Sequence, residues 1–183
     1  EDDCYAWLQA MADIGLGQIV DTVPNHMGVG TNENAWWNDV IENGPASRYA
    51  GHFDIAWHSS PRRELHEKLL LPVLGEPYGE ALESGKLVLT FQKGAFEVCY
   101  LDRRFPLDPR PVPTILGRRL EELERTLGKE APPFHEYQSI LTACHNLPSR
   151  SETATEKIAE RSREKEIIKR RLGALATESP QVR

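Results

Sequence analysis

Hydrophobic positions recur along the chain with two periods, and each period predicts an element. Tyr5, Leu8, Met11 and Ala12 share one face of a helix over 5–14, and Gly15 stands where it should end. Leu16 to Val23 follows as a short, β-branched run and predicts a buried strand. Pro24 stops it, having no N–H to give a central ladder. A helix, a glycine turn and a buried strand make half of an α/β unit. From Asn25 to Arg62 the pattern is that of loops, with one short helix over 35–42, capped by Asn34 and followed by Gly44. Further helices are expected over 62–70 and 77–83, the second stopped by Gly85.

The period then changes to two. Leu87, Leu89 and Phe91 alternate outward, Lys93-Gly94 turns, and Phe96, Val98 and Tyr100 alternate on the return. That predicts a hairpin with one buried face. Phe105 to Pro113 carries four prolines and is expected to be extended. A helix over 115–127 aligns Leu116, Leu120, Leu123 and Leu127, with Thr114 as its cap. Another over 134–145 aligns Tyr137, Ile140, Leu141 and Cys144. The last, over 155–178, is dense in Glu, Lys and Arg. Its apolar anchors are only Ile158, Ile167, Ile168, Leu172 and Leu175, so it reads as a solvated helix laced with i,i+4 ion pairs.

Composition narrows the classes. The 183 residues are 39 % hydrophobic with a formal net charge of −6, a balance that argues against a nucleic-acid-binding module. The longest apolar run, Leu69 to Leu74, is broken by Pro72 and far too short for a membrane span. Cys4, Cys99 and Cys144 are odd in number and form no C-x-x-C pair. Neither a disulfide framework nor a zinc knuckle is expected, and a reducing cytoplasm is the simplest compartment. His52, His58 and His66 match no metal-ligand spacing, so no metal site is expected. The chain opens without an initiator Met or a basic n-region, which predicts an internal piece of a longer reading frame.

Candidate chemistry centres on Asp21-Thr22-Val23-Pro24-Asn25-His26. An Asp at a strand end, then Asn-His at the loop mouth, is the make-up of a barrel active-site rim. Asn25 and His26 offer donors and acceptors to sugar hydroxyls, and Asp21 could orient a cationic neighbour. The same side chains would equally serve to satisfy the backbone of a capped loop. Trp36 and Trp37 are adjacent, so on a helix they point about 100° apart. Either could stack on a pyranose, or both could pack the loop against its neighbours.

Asp21-x-Val23-x-Asn25-His26 resembles the first conserved motif of the α-amylase family, glycoside hydrolase family 13, at the end of the third barrel strand. Three stretches resemble the trehalose-forming glucosylmutase branch of that family: DTVPNHMGVGTNENAWWNDVIENGPASRYAGHFDIAW, LLLPVLGEPYGEALESGKLVL and RRFPLDPR. The charged SETATEKIAERSREKEIIKRRLGALATESP resembles its long insertion. The resemblance covers nearly the whole chain, most densely Gly15 to Arg110. It implies an α/β protein, a fragment of a (β/α)8 barrel. Residues 1–27 would be one barrel helix with the third strand. Residues 28–183 would be a mostly helical inserted domain with a β-hairpin.

The implied activity is an isomerase's: intramolecular transglucosylation turning the reducing-end α-1,4 linkage of a maltodextrin into an α,α-1,1 linkage, in trehalose biosynthesis. A retaining mechanism of this kind needs two carboxyl groups about 5–5.5 Å apart and a pocket that excludes water. By the resemblance, the catalytic carboxylates lie on later strands, beyond Arg183, so none is expected here and the piece alone should be inactive. By motif position, His26 contacts the glucosyl unit at the cleavage point and Asp21 supports the site from behind. In many α-amylases the Asn matching Asn25 helps hold calcium, but no acidic cluster here argues for it. The implied partners are a maltooligosaccharide and the rest of the parent barrel, with no nucleic acid, membrane or organic cofactor. Thr22, where an aliphatic residue is expected, and Ala56, where an acidic one is, depart from the pattern. Two rival readings stand: an α-amylase-type hydrolase or other transglycosylase, and a non-catalytic carbohydrate-binding or structural fragment.

Overall fold

The computed structural model describes residues 2–22, 27–30, 32–58 and 61–182. They form helices α1 (Asp2–Asp13), α2 (Ala35–Asn43), α3 (Tyr78–Glu83), α4 (Pro113–Leu116), α5 (Leu120–Leu127), α6 (Pro132–Asn146) and α7 (Thr155–Glu178). The strands are β1 (Leu87–Gln92), β2 (Ala95–Tyr100) and β3 (Arg103–Pro106), in an antiparallel sheet of order β1-β2-β3. The described residues are thus mixed helix and sheet, 52 % of them helical.

The hairpin forms where its alternation predicts, but the expected face is not buried throughout: Tyr100 is 4 % exposed and Leu89 is 49 % exposed. Lys93 and Gly94 both take positive φ, 50° and 80°, the signs a two-residue turn of the primed type needs. The register pairs Leu87 with Tyr100, Leu89 with Val98 and Phe91 with Phe96, so the alternating apolar side chains share one face. The Phe91 and Phe96 rings meet at 4.9 Å and pack against the helical core. Gly94 has a second reason to be glycine: a Cβ there would lie 1.7 Å from the Lys169 carbonyl oxygen of α7.

The core lies between α6 and α7, closed by α5 and the hairpin. Phe134, Tyr137, Ile140 and Cys144 face Ile168, Leu172 and Leu175, with Leu123 and Leu147 at the ends. Each fully buried Phe or Ile side chain contributes about 1.5–3 kcal/mol. The 3.6-residue spacing on α6 is the cause of this seam.

Several expectations are corrected. Residues 16–22, read as a buried strand, join no sheet ladder in this chain, and Ile19 is 98 % exposed. A strand buried on both faces needs neighbouring strands to pair with. Among the described residues, the three strands pair only with one another. Helix α1 forms, and Gly15 ends it at φ 74°, but it buries no residue. The helix expected over 62–70 shrinks to a single 3-10 turn, Arg63–Leu65. The proline-rich segment is not uniformly extended. It begins in β3, whose backbone pairs with β2, and by Pro113 it has entered α4. The helix over 115–127 is broken by a 3-10 turn, Gly117–Arg119, and Thr114 lies inside α4, with Val112 at the N-cap and Pro113 at the first turn.

The largest correction is α7. Its bounds match the expectation, but it is no solvated spar: Arg161 is fully buried and Lys165 is 5 % exposed. No helix of the described residues is long and apolar enough to cross a membrane.

Candidate functional site

Helix α2 carries the residues that matter most. Its N-terminus is fixed by Asn34, whose side-chain oxygen accepts a 3.0 Å hydrogen bond from the Trp37 backbone N–H. Gly44, at φ 59°, ends it where Arg150 lies so close that a Cβ would meet Nε at 2.8 Å. The two ends of α2 then do different things.

The C-terminal half of α2 meets α7 in a buried ionic network. Lys165 Nζ donates to Asp39 Oδ1 at 2.6 Å and to Glu42 Oε2 at 2.8 Å. Lys169 reaches the other Glu42 oxygen at 2.5 Å. One turn away, Arg161 spends its guanidinium on three acceptors: Asn43 Oδ1 at 3.0 Å, the Pro148 carbonyl at 2.5 Å and Asp108 Oδ1 at 2.6 Å. Burial alone would lower the Lys165 ammonium, but the Glu42 and Asp39 carboxylates overcome it and hold the group above its ordinary value. Asp39 also accepts from Ser47 Oγ and from the Asn43 amide.

An open cleft of about 320 Å³ runs along this wall, with Asn32, Asn38, Glu97 and Arg104 on its sides. Glycoside chemistry needs one protonated carboxyl and one ionised carboxylate facing the sugar. Asp39 and Glu42 instead point at the Lys165 and Lys169 ammonium groups, at 2.6, 2.8 and 2.5 Å. Their arrangement suits a structural clamp.

The first turn of α2 presents the Trp36 ring to the loop that follows the helix. Trp36 stacks on Tyr49 with centroids 4.9 Å apart and planes 9° from parallel. His52 lies 4.9 Å from Trp36 and 6.1 Å from Tyr49, edge-on to both. Were His52 on the far side of Trp36, its distance to Tyr49 would be about the sum of the other two, so it sits beside the stack. Trp36 remains 41 % exposed. Trp37, a step round the helix, is buried against Phe53, with centroids 5.0 Å apart. The 100° separation of adjacent helical residues produces this split.

Of the site residues expected from the sequence, Asp21 is exposed, on the segment that forms no strand. Asn25 and His26 lie outside the described residues. Trp36 offers a ring and Trp37 packs. The sequence pattern does not mark Tyr49, His52 or the buried cations of α7 as site residues. The i,i+4 spacing of Arg161, Lys165 and Lys169 was the available signal, since it places three cations on one face. A surface stripe has the same spacing.

No protein-family model matches the chain, and no solved structure does. Two curated proteins do, both provisionally named maltooligosyl trehalose synthase, from Mycobacterium tuberculosis strains CDC 1551 and H37Rv. Each is 41 % identical over 90 residues, which take in 44 % of this chain and 11 % of the relative. The match thus spans about a tenth of the length of these curated relatives.

Proposed function

We propose that this chain is a segment of a maltooligosyl trehalose synthase, an isomerase that rearranges the reducing-end α-1,4 linkage of a maltooligosaccharide into an α,α-1,1 linkage. The observation that carries the reading is the 41 % identity over 90 residues to the two relatives so named. The motif Asp21-x-Val23-x-Asn25-His26 supports it. In this reading residues 1–27 belong to a (β/α)8 barrel and residues 28–183 to a domain inserted after its third strand. His26, with Asn25 beside it, contacts the sugar at the cleavage point, and Asp21 supports them. The catalytic carboxylates come from elsewhere in the parent protein, and the remaining barrel strands cover residues 16–22.

The test is an assay of the full-length protein on maltohexaose, following reducing power and free glucose together. The expected result is a fall in reducing power with little glucose released, since the product has no reducing end. A rise in reducing power would make water the acceptor and the protein a hydrolase.

A further inference from the structure

The structure assigns a ligand role to the ring cluster Trp36–Tyr49–His52: we propose that it is a docking platform for a glucosyl unit of an α-1,4-glucan. The inference rests on the functional reading above for the identity of the sugar, and on geometry for the platform itself. One face of Trp36 is backed by the near-parallel Tyr49 ring, and His52 stands at the side. The opposite face of Trp36 carries neither ring. A pyranose offers an apolar C–H face with hydroxyls around its rim, and it needs a flat aromatic surface with polar groups at the edge. His52 supplies such an edge, and Arg48 lies over the Tyr49 ring that backs Trp36. Arg48 lies 6.0 Å from the Tyr49 centroid, and its guanidinium donates to Ser162 Oγ at 3.0 Å.

The platform is held stiffly from behind, which separates it from an incidental surface cluster. The Tyr49 backbone N–H donates to Ser47 Oγ, and Ser47 in turn donates to Asp39, the partner of Lys165. Trp36 stands on the first turn of a helix capped by Asn34. The rings are therefore anchored to α7 through buried charge, so little ordering remains to be done when a sugar lands.

The experiment compares full-length wild type with Trp36→Ala and Trp36→Phe, measuring maltohexaose affinity by calorimetry alongside KM and kcat. The expected result for Trp36→Ala is a roughly tenfold rise in Kd and KM, with Trp36→Phe recovering most of the affinity and kcat little changed in both. Unchanged Kd and KM in a folded Trp36→Ala protein would overturn the platform. So would a lowered melting temperature with wild-type affinity, which would mean that protein rather than sugar covers the ring. Failure of wild type to bind maltohexaose would overturn it too. Maltohexaose binding that depends on Trp36, without any rearrangement of the sugar, would sink the proposed activity and leave the platform standing.

Discussion

Helices α1 and α7 invert the usual relation between polarity and burial. α1 has the more apolar face, with Tyr5, Trp7, Leu8 and Met11, yet it buries nothing. α7 is crowded with charge, yet it buries Arg161 and Lys165 beside Ile168, Leu172 and Leu175. The difference lies in partners. α7 meets carboxylates on α2 and in the loop around Asp108, placed to receive each cation, and an apolar seam on α6. An ion leaves water only when other charges and hydrogen bonds replace it. An apolar face leaves water only when another apolar face meets it, and α1 has none among the described residues.

The largest effect should come from removing one member of the network. Lys165→Ala leaves Asp39 and Glu42 with fewer cations in a buried site. It should destabilise this chain by about 3–5 kcal/mol, read as a lower urea midpoint. A midpoint within experimental error of wild type would return α7 to the role of a solvated spar.

A smaller effect concerns the apolar half of the same seam. The Tyr137 hydroxyl donates to the Leu116 carbonyl at 2.8 Å, and burial pushes its pKa up from 10.0 to about 12. The folded chain then keeps a proton that the unfolded chain loses. The stability this contributes is complete below the unfolded value near 10 and is lost as pH rises through about 12. Cys144, pushed up from 9.0 to about 11 mainly by burial, adds to the decline from about pH 9. Urea midpoints should fall between pH 9 and 12, as stability drops by something on the order of 2 kcal/mol for Tyr137. Tyr137→Phe should flatten the upper part of that fall. An equally steep fall in the variant would show that Tyr137 is not the group responsible.

Much of the fold was legible where local chemistry decides it. The Asn34 cap, the Lys93-Gly94 turn and the α6 stripe all act within a few residues, and each element formed as expected. The misses are non-local. Whether Leu16–Thr22 becomes a strand depends on neighbouring strands, which periodicity within the segment does not describe. Whether Arg161 is buried depends on Asn43 and Asp108, 118 and 53 residues away in sequence. β3 escaped because four prolines read as an extended linker, although the Arg103–Pro106 backbone completes the sheet before they dominate. The candidate site divides the same way. Adjacent tryptophans are visible in the sequence, but which of them keeps a ring exposed depends on Tyr49, His52 and Phe53, brought to them by the loop after α2.

Hydrogen–deuterium exchange across α1 and α7 of this 183-residue chain tests the contrast most directly. Amides of α7 from Arg161 to Leu172 should exchange only on global unfolding, while those of α1 exchange far faster. Rapid exchange through the middle of α7, at the rate seen in α1, would contradict it.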